Sequence, residues 1–307
     1  MEIPSYPASR PLDLADKPLL DAKFSVLQPR VSELTFAGLY LFRNAHDYLL
    51  TVVGDSLVVL GRGYSGERYC MPPLDGDVAF ALEVLWDNGL DLYGADEALA
   101  ERCLKREGVI AVEERDAFDY LYLREELAIL PGNRFHKKKN RISYFAVRHD
   151  YDVALFSEQY RAGCRNLLEV WKAMADGEGK PLFGLEIEAA AEAVEIAEQL
   201  GLEGVVVTVA GEVKAFSLGE RLNSETAVCH FEKADPFMEG LSQLINREFS
   251  RLLFTDCRFV NREQDLGDAG LRSAKLSYHP VELVKKFRIG RAVKTTTPGP
   301  LGPRGSS

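Results

Sequence analysis

The spacing of hydrophobic and polar positions changes period several times along this chain. Two β-rich runs, 47–53 and 56–61, flank Gly54-Asp55 and predict a β-hairpin. Apolar residues at helical spacing predict helices over 78–88, stopped by Gly89, and over 97–106, ended at Gly108. Runs 109–112 and 119–123 read as strands on either side of the charged turn Glu113-Glu114-Arg115-Asp116. Further on, Ser157 can cap a helix carrying Tyr160, Leu167, Leu168, Trp171 and Met174 on one face and closing at Gly177. Another helix, over about 186–200, turns Ile187, Ala190, Val194, Ala197 and Leu200 inward before Gly201. A second hairpin joins 204–209 to 213–218 through Gly211-Glu212, and 226–231 is a further strand. Asp235-Pro236 then reads as the opening of a helix whose Phe237, Leu241, Leu244, Ile245, Phe249 and Leu252 form a core face. Residues 253–260 read as a strand. The first thirty residues hold Pro4, Pro7, Pro11, Pro18 and Pro29 and read as extended, with little regular structure.

Hairpins mixed with amphipathic helices in both halves predict α/β (α+β) domains with mixed sheets. A chain of 307 residues has room for two cores. The expected division is 1–148, 149–294 and a tail, 295–307, disordered by composition. No apolar run approaches the ~18–20 residues a membrane span needs. The amino terminus lacks a basic-then-apolar signal pattern, so a cytoplasmic location is expected.

A formal charge of −10 argues against indiscriminate nucleic-acid binding, which rests on neutralising phosphates. The charge is uneven, however. Acidic blocks at 75–126 and 178–198 are separated by a basic island, 134–141, that includes His136, Lys137 and Lys138. Such an island is either a local anion site or a solvated helix start. Five scattered cysteines with no CxxC pair read as buried free thiols, and no cluster has metal-ligand spacing. No Gly-x-Ser-x-Gly elbow is present, and His230, inside an apolar strand, reads as a core histidine.

The densest chemistry lies in NREQDLGDAGLRSAKLSYHP, 261–280. Apolar residues are sparse there, Gly267 and Gly270 allow close backbone approach, and Asp268 can cap a short helix running to Lys275. Arg262, Arg272 and Lys275 suit phosphates or carboxylates, while Glu263, Asp265 and Tyr278 are candidate proton carriers or hydrogen-bond partners. The alternative is a surface helix-turn with internal ion pairs.

That motif, with FDYLYLREELAILPGNRFHKKKNRI and SELTFAGLYLFRN, resembles the phosphatidylglycerol lysyltransferase C-terminal-like domains from about Ser32 to Ile289. The resemblance implies a tandem of two GNAT-like acyl-CoA N-acyltransferase folds. It also implies kinship with membrane-linked enzymes that move an aminoacyl group from tRNA to phosphatidylglycerol, and with Fem-type transferases. Two departures are expected: no transmembrane helices ahead of the domain, since residues 1–31 hold no apolar run of that length, and no GNAT acetyl-CoA loop, since its signature is missing from both halves. The nearest approach is Ser217-Leu218-Gly219-Glu220-Arg221, so no cofactor is expected.

On the aminoacyl-transfer reading the donor is an aminoacyl-tRNA or another anionic acyl donor, and the acceptor a small molecule or lipid. The ester is already activated, so the protein must orient the acceptor, stabilise an oxyanion and return a proton to the leaving ribose oxygen. By the resemblance Lys275 neutralises the oxyanion or holds the terminal phosphate, and Arg272 shares its helical face. Asp265 or Glu263 recognises an amino group or acts as base, and Tyr278 donates to the leaving oxygen. Asn261, Arg262, His136, Lys137 and Lys138 are candidate substrate-binding groups. A non-catalytic binding module for an RNA end or lipid headgroup, and an acyl-CoA N-acyltransferase with a degenerate loop, stand as alternatives.

Overall fold

A computed structural model describes residues 2–178 and 181–292; the tail expected over 295–307 lies outside them. The first strands are β1 (Arg10–Pro11), β2 (Leu49–Val53), β3 (Ser56–Arg62), β4 (Arg68–Cys70), β5 (Asp91–Ala95), β6 (Val109–Glu113) and β7 (Asp119–Leu123). There follow β8 (Tyr151–Leu155), β9 (Glu203–Val209), β10 (Glu212–Arg221), β11 (Thr226–Ala234), β12 (Phe259–Asn261), β13 (Glu282–Val284) and β14 (Phe287–Arg291). The helices are α1 (Lys17–Leu27), α2 (Phe36–Leu41), α3 (Arg43–His46), α4 (Val78–Asp87), α5 (Glu97–Cys103) and α6 (Arg124–Ile129). The later ones are α7 (His136–Ala146), α8 (Arg161–Glu178), α9 (Pro181–Leu200), α10 (Leu241–Leu252) and α11 (Ala269–Leu276).

Two seven-stranded sheets form, in the orders β1-β2-β3-β4-β5-β14-β6 and β8-β9-β10-β11-β12-β7-β13. Their strand senses match position by position. In each, the fourth and fifth strands are parallel and every other pair is antiparallel. A helix, α4 or α10, makes the parallel crossover, as parallel neighbours require. The two expected hairpins therefore occupy equivalent places, β2–β3 and β9–β10. The second turns through Ala210 and Gly211, both at positive φ, the backbone that a tight hairpin turn demands.

The sixth strand of each sheet comes from the other half of the chain. β7 leaves the first half to join the second sheet, and β14 returns from the second half to the first. A boundary at residue 148 therefore does not follow the sheets. Runs 109–112 and 119–123, expected around one charged turn, belong to different sheets. Because β7 pairs with β13 and β6 with β14, the two connections run side by side, with Glu114 N–H donating to Lys286 O at 2.9 Å.

Sheet faces follow strand alternation. Val58 and Leu60 face the cluster under α4 and α5, whereas Leu57 and Val59 face the central core. On the second sheet Val205 and Val207 meet the outer helices while Val206 joins that same central core. Both sheets are thus buried on two faces, and α1, α2, α8 and α9 fill the space between them. All five cysteines are buried free thiols.

Three other expectations are corrected. The proline-rich start contains α1, because Pro18 sits in its first turn, where its missing N–H costs nothing. Asp235-Pro236 closes a turn instead of opening a helix: Asp235 Oδ1 accepts from Phe237 N at 3.0 Å, and α10 begins only after Gly240 at φ +93°. Phe237 is consequently 81% exposed, not core. Of the strand expected at 253–260, only Phe259–Asn261 pairs.

Where the connections cross, the fully buried Lys286 ammonium reaches Asp119 Oδ1 at 2.7 Å and both Glu33 oxygens at 2.6 Å. Asp119 also accepts from Ser32 N (2.8 Å), Ser32 Oγ (2.9 Å) and Asn261 Nδ2 (3.0 Å). Replacing Lys286 with Met leaves two buried carboxylates without their cation and is expected to cost about 3–5 kcal/mol in urea unfolding. A loss under about 1 kcal/mol, the scale of an exposed pair, would contradict this role.

Candidate functional site

The parallel pairing of β11 with β12 covers only Thr226–Val228 against Phe259–Asn261. Beyond it β11 runs on to Ala234 along β10, while the chain leaves β12 as a loop, so an opening forms between them. Polar side chains bridge that opening. Arg262 Nη2 donates to Glu232 Oε1 and Oε2 at 3.1 and 3.2 Å, and Asn246 Nδ2 of α10 donates to Glu232 Oε2 at 2.9 Å. His230 Nδ1 lies 2.8 Å from Glu263 Oε1, and its Nε2 lies 2.9 Å from Glu220 Oε1. The β10–β11 register steps from Leu218↔Phe231 to Gly219↔Cys229, which makes His230 the extra residue of a β-bulge. Bulges re-aim side chains, and this one turns the ring toward the two glutamates.

The motif loop is locked from several sides. Asn261 Oδ1 accepts from Glu263 N at 2.8 Å while its amide donates to Asp119, which ties the site to the crossing. Glu263 takes φ +55°, an uncommon conformation for a residue with a side chain. Lys275 Nζ holds that turn by donating to the carbonyls of Arg262 and, at 3.0 Å, Glu263. Burial, reinforced by the nearby Arg262 guanidinium, pushes the Lys275 ammonium down to about 8. Asp268 Oδ1 caps α11 by accepting from Leu271 N at 2.8 Å, as its place before the helix predicts.

Asp265 is fully buried, and both its oxygens are occupied. Arg272 Nε and Nη2 donate at 2.9 and 2.7 Å, Tyr120 OH at 2.5 Å, Arg115 at 3.3 Å and Gly267 N at 2.9 Å. Burial alone would raise its pKa, but these donors together hold it well below the usual carboxylate range. Asp265 and Arg272 therefore form a brace under the loop, with Arg272 also reaching Asp116 at 2.6 Å. That geometry gives Asp265 the part of an anchor and leaves it no free lone pair for proton abstraction.

The Tyr278 ring is buried, with Lys138 Nζ 4.0 Å and the Arg262 guanidinium 5.2 Å from its centroid. Burial raises its phenol pKa above the ordinary range. Lys138 donates to Ser277 Oγ at 2.7 Å, and burial together with Arg262 and Arg141 lowers its ammonium to about 8. Lys275, Glu263, Arg262, Tyr278 and Lys138 thus come together, whereas His136 and Lys137 stand exposed at the start of α7. Glu220, Glu232 and Tyr120 carry no site role in the sequence reading, because each lies on a strand whose alternation reads as sheet and whose partners, His230, Arg262 and Asp265, come from elsewhere in the chain. A cavity of about 440 Å³ lined by Leu123, Arg124, Glu126 and Cys257 lies at the other end of β12 and contains none of these groups.

His230 is a buried histidine, as its apolar strand suggests, but not a neutral one. Burial disfavours its charge, yet the hydrogen bonds to Glu220 and Glu263 outweigh that and lift its pKa to about 10 from 6.5. Because the folded value is raised, the stabilisation is complete below pH 6.5 and is lost as pH rises through about 10. The stability gap between the native chain and His230→Gln, measured by urea unfolding across this range, should shrink as pH rises. A gap independent of pH would contradict the charged ring.

Comparison with known proteins places this geometry in context. The model of the family described as "Phosphatidylglycerol lysyltransferase, C-terminal" matches residues 24–290. A conserved protein of unknown function from Bacteroides thetaiotaomicron is 30% identical, with 92% of this chain and 99% of that chain covered, at a TM-score of 0.85. The structure of L-PGS from Bacillus licheniformis has a similar fold at 12% identity and a TM-score of 0.62, with 96% of each chain covered. An uncharacterized protein of Mycoplasmoides gallisepticum is 20% identical over 184 residues, and the match spans 59% of this chain and only 58% of that relative's length. On the family match, which spans every strand after β1 up to residue 290 and the whole of the β11–β12 opening, the chain belongs to the phosphatidylglycerol lysyltransferase C-terminal family, a family of acyl- and aminoacyltransferase type.

Proposed function

We propose that the chain transfers an aminoacyl group from an aminoacyl-tRNA to an amine or hydroxyl acceptor at the β11–β12 opening. The observation that carries this is the convergence there of Lys275, Arg262, Lys138 and the Tyr278 ring beside the Glu263 carboxylate. Two cations against an aromatic face suit the phosphate and base of an RNA end. In the reaction the acceptor nitrogen or oxygen bonds to the ester carbonyl carbon, the bond to the ribose oxygen breaks, and the acceptor's proton ends on that oxygen. Lys275 spends two of its three N–H donors on main-chain carbonyls, and the third would face the developing oxyanion.

An acyl-CoA donor is less well supported. Ser217-Leu218-Gly219-Glu220-Arg221 lies inside β10 and is no phosphate-binding loop. The loop that opens α10 carries Asp235 and Glu239, which face Lys214 and Arg141, and a pyrophosphate would meet those carboxylates. No helix among the described residues is long and apolar enough to cross a membrane.

Lys275→Met, followed by thermal melting and single-turnover transfer from charged tRNA together, tests the assignment. Loss of an oxyanion partner should slow transfer by about 10²–10³-fold, well beyond any loss of folded protein. Transfer that falls only with the folded fraction would restrict Lys275 to bracing the turn. Binding of charged tRNA without deacylation in the native chain would favour the binding module.

Charge reversal at Lys137 and Lys138 should weaken tRNA binding and lower its log–log salt slope by about 1 for each phosphate no longer neutralised. Unchanged anisotropy titrations would make the start of α7 a solvated face.

A further inference from the structure

The carboxylates around the β11–β12 opening differ in what remains of them for a ligand. Both oxygens of Glu232 are held by Arg262 and Asn246, and both oxygens of Asp265 are bonded beneath the loop. Glu263 differs. Its Oε1 meets His230, its Oε2 has no hydrogen-bond partner among the described residues, and its side chain is 25% exposed. The carboxylate cannot swing away freely, because its neighbours position it. The backbone is fixed at φ +55° by Asn261 Oδ1, Lys275 and Tyr120 N–H, and the carboxylate is fixed by His230. His230 in turn has a side chain only 2% exposed and is held from behind by Glu220.

We propose that His230 is a positioning residue that presents Glu263 to the opening, and that Glu263 binds the α-ammonium of the aminoacyl group being transferred. This rests on the aminoacyl-transfer reading and adds a selectivity to it: the site takes a free amino acid ester and rejects its N-acylated form. An α-ammonium offers a charge and three donors to a carboxylate, whereas an N-acyl group offers no charge and one donor. Arg262 and Lys138 cannot discriminate in this sense, since a cation gains nothing from a second cation. The bulge in β11 gives the arrangement its physical origin. With a regular ladder His230 would share one strand alternation with its neighbours, whereas the extra residue lets the ring enter the gap between Glu220 and Glu263.

The test uses the full chain and non-hydrolysable probes of the tRNA end: 3′-aminoacylamino-3′-deoxyadenosines carrying alanine, leucine or lysine, each with a free and an acetylated α-amino group. Calorimetry on the native chain should show the free form of at least one probe binding about 10–100-fold tighter than its acetylated partner, the worth of one charged hydrogen bond. Glu263→Gln, which keeps the shape, should bring that ratio near one while leaving affinity for the acetylated form unchanged. His230→Gln should do the same, and if it fails to fold, Glu220→Gln reads the same positioning from the other side of the ring. A role in stability alone would weaken both forms equally and leave the ratio intact, which would overturn the proposal. A ratio lost in Glu263→Gln but kept when His230 or Glu220 is changed would overturn the positioning role. Equal binding of both forms by the native chain would overturn the selectivity and leave the transfer reading standing. Failure to bind any probe, free or acetylated, would overturn both.

Discussion

A buried ammonium at a chain crossing is the constraint on which the rest of this structure depends. Each sheet needs a sixth strand from the opposite half of the chain, so the β6–β7 and β13–β14 connections must pass between sheets together. Lys286 lies in the second of these passages, and its partners Asp119 and Glu33 come from the first passage and from the loop before α2. Burying the Lys286 ammonium against Asp119 and Glu33 carries a large desolvation cost, offset because Lys286 reaches both side chains and Ser32 and Asn261 complete the bonding of Asp119. Such a network tolerates no other register of the crossing, since a shift of one residue would turn Asp119 to the opposite face of β7.

The same network sets the starting point of the site. Asn261 ends β12, donates to Asp119 and accepts from Glu263 N–H, so the loop leaves the sheet in one direction only. From there Lys275 reaches back to the carbonyls of Arg262 and Glu263, while the Arg272–Asp265–Tyr120 brace holds the far side. Polar groups that would be costly if left unpaired are thus paired in sequence from the crossing to the opening. The positive φ of Glu263 is strain that those pairings sustain, and strain of this kind concentrates where a side chain must face a ligand.

Matching strand senses in the two sheets raise the question of why the cluster of His230, Glu263, Arg262 and Lys275 belongs to the second. In the first sheet the corresponding strands are β4 and β5, and their surroundings are largely aromatic: Tyr69 lies 4.9 Å from Tyr93, His46 stacks on Tyr48, and the guanidinium over the Tyr93 ring, that of Arg288, is paired with Glu114 at 2.7 Å. In the second, β11 is longer, carries the bulge and sends His230 and Glu232 toward the loop after β12. One topology therefore hosts an aromatic cluster edged by the Arg288–Glu114 pair in one copy and a larger charged opening in the other. The distinction comes from side chains on equivalent strands and not from the fold.

Much of the local structure was legible in the sequence. The two hairpins, α4, α9, α11 with its Asp268 cap, and the burial of the cysteines each depend on a few adjacent residues. The chemistry of 261–280 was legible for the same reason, because its charges cluster in the chain as they do in space. The five prolines of the first thirty residues hide the opening helix α1 from a local reading, although Pro18 occupies the one turn of a helix that accepts it. What only the tertiary structure decided was partnership. Strand exchange separates β6 from β7, and nothing local to 109–123 announces it. His230 reads as a core histidine until Glu220 and Glu263 close on it from ten residues before and thirty-three after. Lys286 carries no local sign of burial, and its place is set by Glu33 and Asp119, which meet it across more than 160 residues of chain. Hydrophobic period and turn chemistry act over a few residues and so can be read in order, whereas the protonation and burial of a charged side chain depend on which distant groups the fold brings against it.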